Sequence, residues 1–204
     1  PAYSLVPEGV WNYTPATYEW LNSATSARLA KARSLYAAAG YSTTRPLHLR
    51  MLYNENDLIQ KVCVAIAAMW KQELGVETEL IQMEFRAYLA ARADPTQWDV
   101  VRVGWSADYN DASSFLDTMT DGSPQNFGRW SNAHYARLLA DAAVETDVAR
   151  RRQLLQEAER LMLDDYPLLP VYFYVTRRLV QAHISAPSIN PMNRTYSRDF
   201  ALKE

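Results

Sequence analysis

The chain has 204 residues, with 21 Lys and Arg against 23 Asp and Glu, a net charge of -2, and 49% hydrophobic residues. That length supports one sizeable core or two small ones, and the near balance of charge without any block of one sign argues against a nucleic-acid surface or a polybasic membrane anchor. The longest apolar run, Val62 to Trp70, is far shorter than the ~20 residues a membrane-spanning helix needs, so the expectation is a soluble chain. A sequence that opens on Pro1 rather than Met reads as processed or excised from something longer, and the missing signal segment then leaves the compartment open. The lone Cys63 excludes an internal disulfide and a Cys-based metal site.

Residues 1–22 combine prolines and aromatics without a helical period and read as an extended segment packed on a neighbour. Ser26 to Ala39 repeats Leu29, Ala32, Leu35 and Ala38 at helical spacing, with Gly40 as a left-handed stop. Pro46 to Tyr53 alternates as a strand, and Asn54 to Asp57 caps a long helix that ends at Leu74 before Gly75. Within that helix Leu58, Val62, Ala65, Ile66 and Met69 are expected to form the stripe packed on a sheet. Val76 to Met83 reads as a strand, Glu84 to Ala93 as a helix, and Trp98 to Val103 as a third strand. Strands joined by helical crossovers favour a parallel sheet, so the middle of the chain reads as a βαβαβ unit of α/β class. A short helix follows over Asp111 to Thr120, then a loop, then two helices over Asn132 to Asp165 broken near Thr146 and Asp147. Leu168 to Val175 and Arg178 to Ile184 read as two more strands, and the Pro-rich tail from Pro187 is expected to pack on something absent.

Ligands of open α/β sheets bind beyond the carboxyl ends of the strands. Those ends carry Tyr53 and Asn54, then Glu84 and Phe85, then the run Arg102 to Asp111, which gathers Arg102, Trp105, Asp108 and Tyr109. Gly104 lets a backbone approach a ligand, Trp105 offers a flat apolar wall, and Asp108 is a fixed anion before a helix start. The structural alternatives are that Asp111 caps the next helix and that Arg102 pairs with Asp99. Asp108 reads as functional, and so does Arg102, because an unpaired guanidinium in an apolar strand is costly to bury.

The segment GWSADYNDASSFLD, Gly104 to Asp117, resembles the periplasmic oligopeptide-binding proteins of ABC importers, the family 5 solute-binding proteins of the peptide and nickel group. Matching stretches follow in the family's order: LVPEGVWNY at Leu5 to Tyr13, LYNENDLIQK at Leu52 to Lys61, MEFRAYLAAR at Met83 to Arg92 and PVYFYVTRRLV at Pro170 to Val180. The resemblance implies the carboxyl-terminal portion of a two-lobe periplasmic receptor, with the amino-terminal lobe missing here. On this reading residues 1–22 are an extended interface segment, 23–175 a ligand-binding lobe, and 176–204 a return strand and tail packed on the missing lobe.

The resemblance implies that Asp108 pairs with the α-amino group of a bound peptide, since an ammonium taken out of water needs a fixed charge partner. It likens Arg102 and Arg92 to arginines along the peptide and its carboxylate, a role that suits the guanidinium fork. It makes Trp105 and Tyr174 walls of water-filled side-chain pockets, with Phe85 and Tyr109 beside them. From the residues alone, Tyr174 reads as core packing in an apolar strand and Arg92 equally as a solvated helix position. Two departures bear on peptide length: Ile59 stands where the family has a histidine and Phe85 where it has a tryptophan. The implied partners are short peptides, a membrane permease and the missing lobe, in the periplasm, with no nucleic acid, cofactor or metal.

An enzyme reading finds no support, because His48, His134 and His183 lie in separate elements, no G-x-S-x-G or H-E-x-x-H occurs, and the six glycines are scattered. Competing receptor readings are a binder of dipeptides, of nickel or haem chelates or of another cationic metabolite, and a sensory lobe that does not take part in transport.

Overall fold

The computed structural model describes residues 1–203 and divides into two compact units, one of residues 22–104 and one of residues 1–21 with 105–204. None of the helices among the described residues is long and apolar enough to cross a membrane.

The unit of residues 22–104 begins with α1 (Thr25–Ala38), closed by Gly40 at φ +86°. It continues through β1 (His48–Asn54), α2 (Asp57–Leu74), β2 (Glu77–Met83), α3 (Phe85–Ala91) and the short β3 (Val100–Val101). The sheet order is β2-β1-β3 with both pairings parallel, from His48 opposite Glu77 to Asn54 opposite Met83, and Met51 opposite Val100. The expected βαβαβ unit of α/β class is therefore present. β3 is shorter than the apolar run suggests, yet its ladder continues at both ends: Asp99 N donates to Arg50 O at 3.0 Å and Arg102 N to Leu52 O at 2.9 Å.

Asn56 caps α2 by accepting from the amides of Leu58 and Ile59 at 3.0 and 3.1 Å, and Gly75 closes it at φ +78°. The stripe that packs on the sheet includes Ile66, as expected, but is otherwise turned from the expected one. Ile59 and Cys63 are buried, with Ile66 and Trp70 packed against them, whereas Leu58, Val64 and Met69 are exposed. Apolar residues occur all round this helix, so the sequence fits more than one stripe and contact with the sheet selects among them. Leu35 of α1 is likewise exposed, while Tyr36 turns inward and its hydroxyl accepts the Leu47 amide at 2.8 Å.

The other unit holds the larger core. It contains α4 (Ser113–Leu116), α5 (Ala133–Val144) and α6 (Val148–Asp165), with 3-10 turns at Asp117–Met119 and Ser197–Asp199. The caps Asn132 and Asp147 mark the starts of α5 and α6 as the sequence suggests, each accepting amides of its own first turn. Leu116, Tyr135, Leu138, Ala142, Leu155, Ala158 and Met162 pack into one cluster with Val6, Val10 and Tyr18 of the amino-terminal segment.

The two strands expected over Leu168 to Ile184 do not form. Among the described residues only β4 (Ile184–Ser185) forms nearby, paired antiparallel with β5 (Ala201–Leu202). The composition of residues 168–183 suits a strand, but a strand needs a run of ladder hydrogen bonds to a second backbone, and among the described residues this segment joins no sheet; the Ala2 amide donates to the Val171 carbonyl at 3.0 Å.

Candidate functional site

The candidate residues fall into two groups, each organised around one buried residue of its own unit. In the sheet-containing unit that residue is Tyr88, 1% exposed on α3. Its hydroxyl donates to the carbonyl of Arg102, just beyond β3. Phe85 stacks on its ring at 6.3 Å, and the Arg92 guanidinium lies over it at 5.5 Å. Spacings of three and four residues put Phe85, Tyr88 and Arg92 on one face of a helix, so the signal for Tyr88 was available in the sequence, although it was not singled out there.

Arg102 is half-buried at the carboxyl end of the sheet, and its guanidinium lies 3.2 Å from where a Cβ would stand on Gly104. A side chain at position 104 would therefore require the end of the flexible Arg102 side chain to give way by a few tenths of an ångström. The suggested pairing of Arg102 with Asp99 is not made. Asp99 is engaged by Arg50, whose Nε and Nη2 reach its two oxygens at 3.0 and 3.1 Å and whose amide donates to it at 2.8 Å. Those hydrogen bonds from Arg50 hold the Asp99 carboxyl below the usual range. Burial pushes the Cys63 thiol up, against a smaller opposing effect of the Arg102 charge. Ile59 is buried on the core side of α2.

In the second unit the organising residue is Ser114, 4% exposed in α4. Trp105 donates its indole Nε1 to the Ser114 carbonyl at 2.7 Å, and the Asp108 amide donates to Ser114 Oγ at 2.8 Å. The Asp108 side chain is exposed and its carboxylate makes no hydrogen bond or ion pair among the described residues. The Tyr109 hydroxyl lies 3.2 Å from Ser113 Oγ and 3.5 Å from Asp117 Oδ2. Burial raises the pKa of Asp117 despite that contact.

Asp111 is both a cap and an ion-pair partner. Its Oδ1 accepts the Ser113 amide at 2.9 Å, and Arg151 of α6 grips both oxygens at 2.7 and 2.9 Å. Burial disfavours its charge, but the bonds from Arg151 and Ser113 outweigh that and hold its carboxyl below the usual range. The cap is legible in the sequence; the Arg151 pairing, across 40 residues of chain, is not.

Tyr174 stands apart from both groups. It is 59% exposed on the unpaired segment, its ring set edgewise on Tyr172 at 5.0 Å, so the core-packing reading is overturned. An open cleft of about 600 Å³ is lined by Arg178, Leu179, Ile184, Thr195 and Phe200 and contains none of the candidate residues.

The unit of residues 22–104 carries a parallel three-stranded sheet with basic and aromatic side chains at its carboxyl ends, and the other unit carries a loop whose Asp108 carboxylate has no partner among the described residues. Residues 1–127 match the family model described as Bacterial extracellular solute-binding proteins, family 5 Middle, and the chain belongs to that family. Among curated relatives, the probable deoxycholate-binding periplasmic protein YgiS of Escherichia coli K12 is 36% identical over the whole chain, which covers 38% of its length. The periplasmic oligopeptide-binding protein OppA of the same strain is 34% identical over 99% of the chain and 37% of its own length. The solved structure of the Escherichia coli murein tripeptide binding protein MppA superposes with a TM-score of 0.89 at 33% identity, over 100% of this chain and 40% of that one. The chain thus spans about two-fifths of the length of these relatives.

Proposed function

We propose that this chain is the carboxyl-terminal portion of a two-lobed periplasmic receptor that captures short oligopeptides and delivers them to an ABC importer permease, as a binding protein rather than an enzyme. The observation that carries this reading is Asp108: a carboxylate held by its own backbone, facing outward, with no partner among the described residues. Such a group suits an ammonium that leaves water as a peptide is enclosed. Arg102 and Arg92 supply guanidinium groups at the sheet end for main-chain oxygens and the peptide carboxylate. Trp105, Tyr109, Phe85 and Tyr174 supply exposed aromatic surface, which tolerates many side chains through stacking and bridging water. Ligand bridging two lobes shifts a pre-existing open–closed equilibrium toward closed, and that is the difference a permease can read. Residues 176–204, with the unpaired segment before them, would pack on the amino-terminal lobe, so the 204-residue chain alone is expected to bind peptide weakly or not at all.

The test is calorimetry on the complete receptor with a tripeptide and its N-acetylated form. Asp108→Asn should weaken the free-amino peptide by about 3 to 5 kcal/mol, the cost of breaking one side of a buried ion pair, with little further effect on the acetylated one. Equal effects on both peptides would remove the amino-group role. The similarity to a protein named for deoxycholate makes that bile acid the control ligand. Tight deoxycholate binding that is insensitive to Asp108→Asn would overturn the peptide assignment in favour of an anionic amphipath.

A further inference from the structure

We propose that Ser114 is the positioning residue that sets the amine-binding geometry of the loop, acting through Asp108 and Trp105; this rests on the reading of Asp108 as the partner of a ligand ammonium. Every polar group of Ser114 is committed to that loop. Its amide donates to the Asp111 carbonyl at 3.2 Å, its carbonyl accepts the Trp105 indole at 2.7 Å, and its hydroxyl oxygen accepts the Asp108 amide at 2.8 Å. The residue is 4% exposed, so its own polar atoms are shielded from water and depend on these bonds.

The base of this arrangement is fixed from outside the loop. Arg151 on α6 grips Asp111 through both carboxylate oxygens and donates Nε to the Ala142 carbonyl at 3.2 Å. The Asp111 side chain in turn accepts the Ser113 amide at 2.9 Å. A rigid contact therefore runs from α6 through Asp111 to Ser114, and from Ser114 to the two residues proposed to meet the ligand. The geometry needs a small hydroxyl here: the Asp108 carboxylate has no bond of its own among the described residues, so its direction depends on the backbone that Ser114 Oγ holds.

The variants are Ser114→Ala, which deletes the acceptor, and Ser114→Thr, which keeps it. In the complete receptor, Ser114→Ala should weaken a free-amino tripeptide about tenfold, as expected for one unsatisfied buried donor, and leave the N-acetylated tripeptide within about twofold; Ser114→Thr should restore the free-amino affinity. Equal weakening of both peptides would assign Ser114 a structural role only and overturn the inference. Should Asp108→Asn discriminate between the peptides while Ser114→Ala does not, the inference fails and the reading of Asp108 stands. Should Asp108→Asn itself not discriminate, that reading fails and the inference falls with it. A second measurement needs no variant: hydrogen exchange on the 204-residue chain should show the Asp108 amide slowed at least about tenfold relative to an unprotected amide, and exchange at the unprotected rate would overturn the bond on which the inference rests.

Discussion

Two irregular stretches of the same unit, residues 1–21 and residues 168–183, are both rich in aromatics and poor in regular structure, yet they end in opposite states. In the first, Ala2, Ser4, Val6, Val10, Ala16 and Tyr18 are buried. In the second, Leu169, Val171, Tyr174 and Val175 are exposed and Leu179 is fully so at 102%. Composition does not separate them; the side-chain partners that α6 gives to the backbone of the first do. α6 offers residues 1–21 a polar stripe at spacings of four and three: Arg152 donates to Asn12 Oδ1 at 3.0 Å, Gln156 to the Thr14 carbonyl at 2.7 Å, and Glu159 receives the rest. Glu159, at 0% exposure, accepts the amides of Leu5 and Val6 on one oxygen at 3.0 and 2.8 Å. The Ala16 amide and the Tyr13 hydroxyl reach its other oxygen, both at 2.8 Å. A side chain thus does for this segment what a neighbouring strand does in a sheet, satisfying its amides as its apolar side chains enter the core.

Glu159→Ala would break this contrast most severely. It orphans four buried donors and should lower the unfolding free energy by about 3 kcal/mol or more, with the amides of Leu5, Val6 and Ala16 losing exchange protection. Unchanged protection there would show that apolar packing alone holds the segment. Glu159→Gln keeps one oxygen but must present its NH2 group to the Ala16 amide, and should cost about 2 kcal/mol at neutral pH. It also tests a pH dependence. Burial raises the Glu159 pKa, against the bonds from Val6, Tyr13, Ala16 and Leu5. A carboxyl whose folded pKa lies above its unfolded value binds more protons when folded, so its contribution is largest below about pH 4.3 and fades as pH rises through the folded pKa. The glutamine variant should lose that slope in urea titrations run between acid and neutral pH.

Tyr13→Phe removes one bond to the same carboxylate and should cost about 1.5 kcal/mol in urea melts. Burial, with the adjacent Glu159 charge, raises the Tyr13 phenol far above its usual range, so it serves as a donor at any working pH. At the other end of the scale, Leu179→Ser in the 204-residue chain should change its denaturation midpoint by less than about 0.5 kcal/mol in free energy. A larger loss would mean that the Leu179 side chain is packed in solution, and the contrast with residues 1–21 would narrow.

The parts of this protein that were legible in its sequence are those set by local chemistry. Asn56, Asn132 and Asp147 cap helices, and Gly40 and Gly75 end them, because capping and a left-handed turn involve residues a few positions apart. The parallel pairing of β1, β2 and β3 followed from the crossover helices between them. The loop from Trp105 to Tyr109 reads as a candidate site because it follows the carboxyl end of the third strand, where ligands of open α/β sheets bind. The stripe of α2 was misread, since Leu58 and Ile59 are equally apolar and only the sheet decides which turns inward. The alternative that paired Asp99 with Arg102 fails for a related reason: Arg50 is the neighbour of Asp99 across the sheet rather than along the chain.

By itself the sequence determined the long helices and their caps, the α/β class, and the presence of an acidic, aromatic loop after the third strand, because each depends on residues close along the chain. Tertiary structure alone decided that Tyr88 and Ser114 organise the two groups of candidate residues, that Arg151 secures Asp111, and that Glu159 is buried among the amides of a distant segment. Hydrogen bonds and desolvation act at a few ångströms regardless of separation along the chain, so these pairings come into being only when the fold brings their partners together.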